Sequence, residues 1–166
     1  MKTIMAIMVA VFLSVSVLCL SAGAQEGTSP QDLLVRSQVE TAVSMLQAIY
    51  AKQQAGEMTM EQAQKLGTDL LRELRYGADG YFWADTTQGV NVVLYGRKDV
   101  EGRNRLDDRD LKGNLFVKEF LAKGTAGGGY VDYWFTRLGR EGQQAKRSYV
   151  LLFKPFGWVV GSGYYR

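Results

Sequence analysis

Two stretches decide the reading of this chain: Gly80-Tyr81-Phe82-Trp83-Ala84-Asp85 and Lys154-Pro155-Phe156-Gly157-Trp158-Val159-Val160-Gly161-Ser162-Gly163-Tyr164-Tyr165. In them and between them, aromatic residues recur inside short alternating runs, and glycines punctuate the runs. A period of two sends successive side chains to opposite faces of a strand. The pattern predicts a small antiparallel sheet that presents aromatic side chains to a pocket.

Working outward, Tyr81 to Thr86 and Val90 to Tyr95 read as a hairpin turning at Thr87-Gln88-Gly89. Further strands are predicted at Tyr130 to Thr136, Lys146 to Phe153 and Trp158 to Tyr165, with a polar hairpin loop at Leu138 to Gln143. Asn114 to Lys123 reads as a short helix, and the charged run Gly96 to Gly113 as a loop. Upstream the period lengthens. Val35, Val39, Ala42, Val43, Leu46, Ile49 and Tyr50 form one stripe of a helix that Ser29 caps, Pro30 starts and Gly56 ends. Thr59-Met60-Glu61-Gln62 is a capping box for a second helix, with the stripe Ala63, Leu66, Leu70 and Leu74. A helical hairpin is expected before the sheet, giving an α+β domain over residues 25–166.

The first residues read differently. Lys2 gives a basic start, Ile4 to Leu20 is apolar apart from two serines, and Ala22-Gly23-Ala24 supplies small residues for a cut after Ala24. That is the layout of a secretory signal peptide over residues 1–24. The alternative is a retained anchor, but the run is slightly short for the about 20 residues a span needs. Leu18 before Cys19 speaks against a lipid-modified cysteine. A secreted or periplasmic protein is expected.

Composition excludes much. The chain of 166 residues has no histidine, and its single cysteine lies in the leader. Ser-His-Asp and Cys-His catalysis, disulfides and thiolate or histidine metal sites are therefore not expected, and no cofactor is called for. The net charge of +3, reduced by loss of Lys2, is too small and dispersed to argue for nucleic acid. Lys146 and Ser148 share a strand face, but that spacing is common and weak evidence for Ser-Lys catalysis. Asp107, Asp108 and Asp110 could suggest calcium, yet Arg103, Arg105 and Arg109 interleave them, which favours a solvated, salt-bridged loop.

The aromatic strands leave a stronger constellation. Tyr81 and Trp83 share a face, Tyr133 shares one with Val131 and Phe135, and Lys146 and Ser148 alternate with Arg147 and Tyr149. A small carboxylate needs a fixed cation, one or two hydroxyl donors and an apolar wall. This region supplies all three. Periodicity alone favours the plainer alternative of core aromatics with solvent-facing lysines.

At these residues the sequence resembles the single Cache domain family, second subtype, the extracytoplasmic sensing modules of bacterial chemoreceptors and sensor kinases. The matching pieces are Asp79-Gly80-Tyr81-Phe82-Trp83, Asp110-Leu111-Lys112-Gly113-Asn114-Leu115-Phe116, Gly129-Tyr130-Val131-Asp132-Tyr133-Trp134, Lys146-Arg147-Ser148-Tyr149-Val150 and Phe153 to Tyr164, in the family's order. The resemblance implies a long N-terminal helix beside a PAS-like antiparallel sheet bearing a pocket for short-chain organic acids. It implies Lys146 as carboxylate partner, Tyr81, Tyr133 and Tyr149 as hydroxyl donors, and Trp83 as wall. Tyr95-Gly96 stands where the family often has His-Pro, so Tyr95 joins the candidate site and the choice of ligand stays open. Family members usually continue into a membrane helix and a signalling domain, whereas this sequence stops where the resemblance stops.

The expectation is a free-standing binding module for a carboxylate of the acetate, propionate, lactate or pyruvate class. It would hand occupancy to a membrane-bound signalling or transport partner. The alternative is an interaction protein that kept the fold without a ligand. An enzyme is disfavoured by the missing histidine and cysteine.

Overall fold

The computed structural model describes residues 28–166. The expected leader and its cut after Ala24 lie outside these residues. The element order is α1 (Pro30–Gln54), α2 (Met60–Glu73), β1 (Arg75–Tyr76), β2 (Gly80–Thr86), β3 (Asn91–Leu94), α3 (Phe116–Thr125), β4 (Gly129–Thr136), β5 (Gln143–Phe153) and β6 (Trp158–Tyr165). The strands form one antiparallel sheet ordered β1-β2-β6-β5-β4, with β3 also paired to β2. This is the α+β architecture that the change of period predicts.

Both helices start where their caps place them. The Ser29 hydroxyl accepts from the Asp32 amide at 3.0 Å, and the Asp32 carboxylate accepts from the Ser29 amide at 3.1 Å. Thr59 and Gln62 repeat the arrangement for α2. Each box satisfies two amides that helical geometry leaves without partners. Val35, Val39, Ala42, Leu46 and Ile49 are buried, as their spacing requires.

The α2 stripe needs correcting. Ala63, Gly67 and Leu71 are buried, while Leu66 and Leu70 are 38% and 39% exposed. Gly67 is the cause. A Cβ there would come within 2.8 Å of Leu46 Cδ2, so α2 lays its glycine against α1 and turns those leucines outward. A glycine contributes nothing to a hydrophobic stripe but permits the closest helix approach.

Alternation splits the sheet into two faces. Phe82, Ala84, Tyr149, Phe153, Trp158 and Val160 pack with α1 and α2. Tyr81, Trp83, Val131, Tyr133, Val150 and Val159 pack with Phe116, Val117 and Phe120 of α3. Val90 leaves β3 and bridges to Asn104, while Tyr95 lies just past the end of β3.

The connection from β3 to α3 also departs from expectation. It is not uniformly solvated, because Arg105 and Asp110 are buried within it. Asp110 accepts from the backbone amides of Lys112, Asn114 and Trp134 and from the Asn114 side chain. Those hydrogen bonds outweigh the effect of its burial and hold the carboxyl below its ordinary range. Arg105 donates to both Asp85 oxygens at 3.0 and 3.1 Å, and Asn91 donates to the same carboxylate at 2.8 Å. This buried pair ties the loop to β2.

Candidate functional site

Lys146 is the centre of the α3 face. Its side chain is 1% exposed, an unusual position for an ammonium group. Four aromatic rings surround Nζ: Tyr81 at 4.2 Å from the ring centroid, Tyr165 at 4.7 Å, Trp83 at 5.1 Å and Phe135 at 5.5 Å. Nζ donates to the Tyr81 hydroxyl at 2.7 Å. Among the described residues no carboxylate pairs with it. Burial pushes the ammonium down to about 7; Asp79 pulls it back up and Arg105 pushes it further down.

The sheet register builds this cage. Lys146 lies opposite Tyr165 on β6 and opposite Tyr133 on β4. The next residue on the same face, Ser148, has its hydroxyl 3.1 Å from that of Tyr133. Gly161 and Gly163 lie beneath the site on β6. A Cβ on Gly161 would meet Trp83 Cζ2 and Cε2 at 2.5 and 2.6 Å, and one on Gly163 would run into Ser148. These glycines leave the room that the large side chains fill. Tyr133 stacks on Phe116 with centroids 5.1 Å apart, and Trp83 leans on Phe120 at 5.4 Å. Burial raises the Tyr81 and Tyr133 hydroxyls well above the usual tyrosine range, so both remain neutral donors.

A cavity of about 230 Å³ opens beside this cage, lined by Arg75, Asp79, Tyr81, Tyr95, Arg137 and Tyr165 among others. The Tyr81 and Tyr165 hydroxyls, 3.4 Å apart, stand between the cavity and Lys146. Arg137 pairs with Asp79 at 2.6 Å across the mouth, and Arg75 stacks on Tyr95 with its guanidinium 3.3 Å from the ring centroid. Tyr95 in turn packs on Tyr81 at 5.6 Å. A second depression of about 310 Å³ is lined by Lys146 and Tyr133 together with Lys112, Asp132, Trp134 and Arg166, and Arg166 pairs with Asp132 at 3.0 Å on its exposed side. Among the described residues no group of three or more His, Cys, Asp or Glu could hold a metal ion.

The structure therefore brings Tyr81, Trp83, Tyr95, Tyr133 and Lys146 together. Tyr149 is the exception and a correction. It lies on the α1 face, edge-on to Tyr130 at 5.0 Å and beneath the Arg36 guanidinium. One step from Ser148 along a strand reverses the face, so its hydroxyl cannot join the cage. Sequence reasoning missed Arg75, Asp79, Arg137, Tyr165 and Arg105. Only Tyr165 carried a signal, since it continues the Gly161-Gly163 alternation.

The domain is thus an antiparallel sheet with a caged, buried cation on one face and a long capped helix on the other. Residues 29–166 match the family model described as single Cache domain 2, and the chain belongs to that family. It is 33% identical over 137 residues to the methyl-accepting chemotaxis protein McpP of Pseudomonas putida, covering 78% of this chain and 24% of that protein. It is likewise 33% identical over 124 residues to the sensor histidine kinase MctS of Rhizobium johnstonii, covering 75% of this chain and 26% of that protein. The chain thus spans about a quarter of the length of these relatives. Among solved structures, a periplasmic sensor domain of a chemotaxis protein superposes with a TM-score of 0.77 at 33% identity, covering 80% of this chain and 93% of that one. A Cache chemosensory domain that recognises a carboxylic acid superposes with a TM-score of 0.76 at 30% identity, covering 82% and 98%. The family is the ligand-sensing module of chemoreceptors and sensor kinases, and ligand binding for signal transduction is its role. Among the described residues no helix is long and apolar enough to cross a membrane.

Proposed function

We propose that this protein binds a short-chain carboxylate of the acetate, propionate, lactate or pyruvate class and reports its presence to a membrane-bound signalling or transport partner. It acts as a sensor and not as an enzyme. The carrying observation is Lys146, a buried ammonium held by aromatic rings and one tyrosine hydroxyl, with no acid beside it among the described residues. An unpaired buried charge is costly, and an anion of the right size removes that cost. Tyr81 and Tyr133 supply neutral hydroxyls on the same face, and Trp83 and Tyr95 supply walls. Two further observations support the reading. A structural neighbour recognises a carboxylic acid, and the curated relatives are a chemotaxis protein and a sensor kinase. The proposed setting is the periplasm or the medium, reached by a leader cut after Ala24. N-terminal sequencing of the exported product tests that cut.

The ligand test is a thermal-shift screen across organic acids, amino acids, sugars and purines. A carboxylate at 100 times its dissociation constant should add about 2.7 kcal/mol of stability and raise the melting temperature by roughly 5–10 °C. No shift with any compound favours an interaction protein that kept the fold without a ligand. Shifts with amines or sugars alone contradict the carboxylate reading.

A further inference from the structure

We propose that Trp83 is a hydrogen-bond donor to the ligand, so that its indole N–H and the Lys146 ammonium together grip one carboxylate. The inference rests on the carboxylate reading above and assigns a polar role to a residue that the sequence marks as wall.

The observation is an orphan. Trp83 is 2% exposed, and its Nε1 is buried with no hydrogen-bond partner in the structure. Buried indole N–H groups almost always have an acceptor, so an unmatched one calls for an explanation. The neighbouring acceptors are engaged. The Tyr133 and Ser148 hydroxyls face each other at 3.1 Å, the Tyr81 hydroxyl takes Lys146, and the Tyr165 hydroxyl donates to the Thr136 carbonyl. None of them contacts Nε1.

The position fits a shared ligand. Lys146 Nζ is 5.1 Å from the Trp83 ring centroid. An anion beside the ring can accept from the ammonium and, at the ring edge, from the indole N–H, through hydrogen bonds of about 2.8 Å. The indole edge that carries the nitrogen rests over Gly161, where any Cβ would strike Cε2 at 2.6 Å. Phe120 leans on the ring at 5.4 Å and fixes its tilt. The N–H direction is thus set by packing before a ligand arrives, and preorganised donors lose little entropy on binding. A carboxylate can accept from both groups at once. A primary amide offers one oxygen and brings two N–H groups of its own toward a donor-only site. The pair therefore discriminates against the amide.

The test uses the mature protein labelled with ¹⁵N, propionate as the probe and propionamide as the control. Only three tryptophans are present, and the Trp83→Phe variant identifies the indole resonance of Trp83. Saturating propionate should move that resonance downfield and slow its exchange with water, with smaller changes at Trp134 and Trp158. In Trp83→Phe, propionate affinity measured by calorimetry should fall about tenfold or more, while the preference for propionate over propionamide narrows. Should Trp83→Phe fail to fold, the wild-type resonance alone decides. Propionate binding that leaves the Trp83 indole signal and its exchange unchanged overturns the donor role while leaving the carboxylate reading intact. Absence of binding by any short-chain carboxylate to the wild-type protein overturns both.

Discussion

Arg147 and Lys146 are neighbours on β5, and so are their partners Tyr164 and Tyr165 across the ladder, yet the two faces treat their cations in opposite ways. On the α1 face Arg147 reaches Asp32 at 2.9 Å and also Asp132, while the Tyr164 hydroxyl donates to Asp32 at 3.0 Å. Burial works against the Asp32 carboxylate, but hydrogen bonds from Ser29 and Tyr164 and the charge of Arg147 outweigh it and hold the group below its ordinary range. On the α3 face Lys146 has one tyrosine hydroxyl and no acid among the described residues. The same contrast separates Lys146 from Arg105, the other buried cation near its face, which has its own buried carboxylate in Asp85. Paired charges fasten this fold together. The unpaired one is where the proposed ligand would bind.

Breaking the Arg105–Asp85 pair should have the largest effect on stability. Arg105→Ala leaves Asp85, 1% exposed and already pushed upward in pKa by burial, without its cation. A loss of about 3–5 kcal/mol is expected in urea unfolding. A loss under about 1 kcal/mol would show that the loop relaxes and hydrates the carboxylate.

Asp32→Ala tests the other face. It removes the carboxylate half of the capping box on α1 and the acceptor for Arg147 and Tyr164. A stability loss of about 2–3 kcal/mol is expected, with propionate affinity unchanged by calorimetry. A matching loss of affinity would mean that the two faces are not independent.

Proton linkage sharpens the comparison further. Lys146 titrates near 7 in the empty protein and near 10.4 when unfolded, so between those values the folded state holds fewer protons. Stability of the empty protein should therefore rise with pH across that window and stay flat below it, as far as this group is concerned. Carboxylate affinity runs the opposite way. It should be constant just below pH 7 and fall about tenfold per unit, about 1.4 kcal/mol, above it. Titrations from pH 6 to 9 in buffers of different ionisation heat would detect both the fall and the accompanying proton uptake. A flat profile would show that Lys146 stays charged throughout.

Much of this arrangement was legible in the sequence, for reasons that also explain the failures. The change of period and the capping residues Ser29 and Thr59 gave the elements, because both are local properties. Alternation paired Tyr81 with Trp83 and Lys146 with Ser148 within their strands, and the family resemblance joined them with Tyr133 into one site. The same rule puts Tyr149 on the other, and the family resemblance misled there because a motif does not carry a side chain's direction. Arg105 and Asp110 looked like ordinary loop charges, since their burial depends on Asp85 and Trp134, partners that only the folded chain brings near. Arg75 and Arg137 flank one cavity because β1 and the end of β4 converge there, which no spacing announces. Gly67 hid the buried side of α2 for the opposite reason: it packs by having no side chain.

The central claim is that Lys146 is left unpaired for a ligand, and Lys146→Met tests it most directly. Methionine keeps the length and removes the charge, so the empty protein should be as stable as the wild type or more so. Propionate binding followed by calorimetry should weaken at least ten- to a hundredfold, the loss of a charged hydrogen bond of about 1.5–3 kcal/mol. Wild-type affinity in a well-folded Lys146→Met protein would contradict the account.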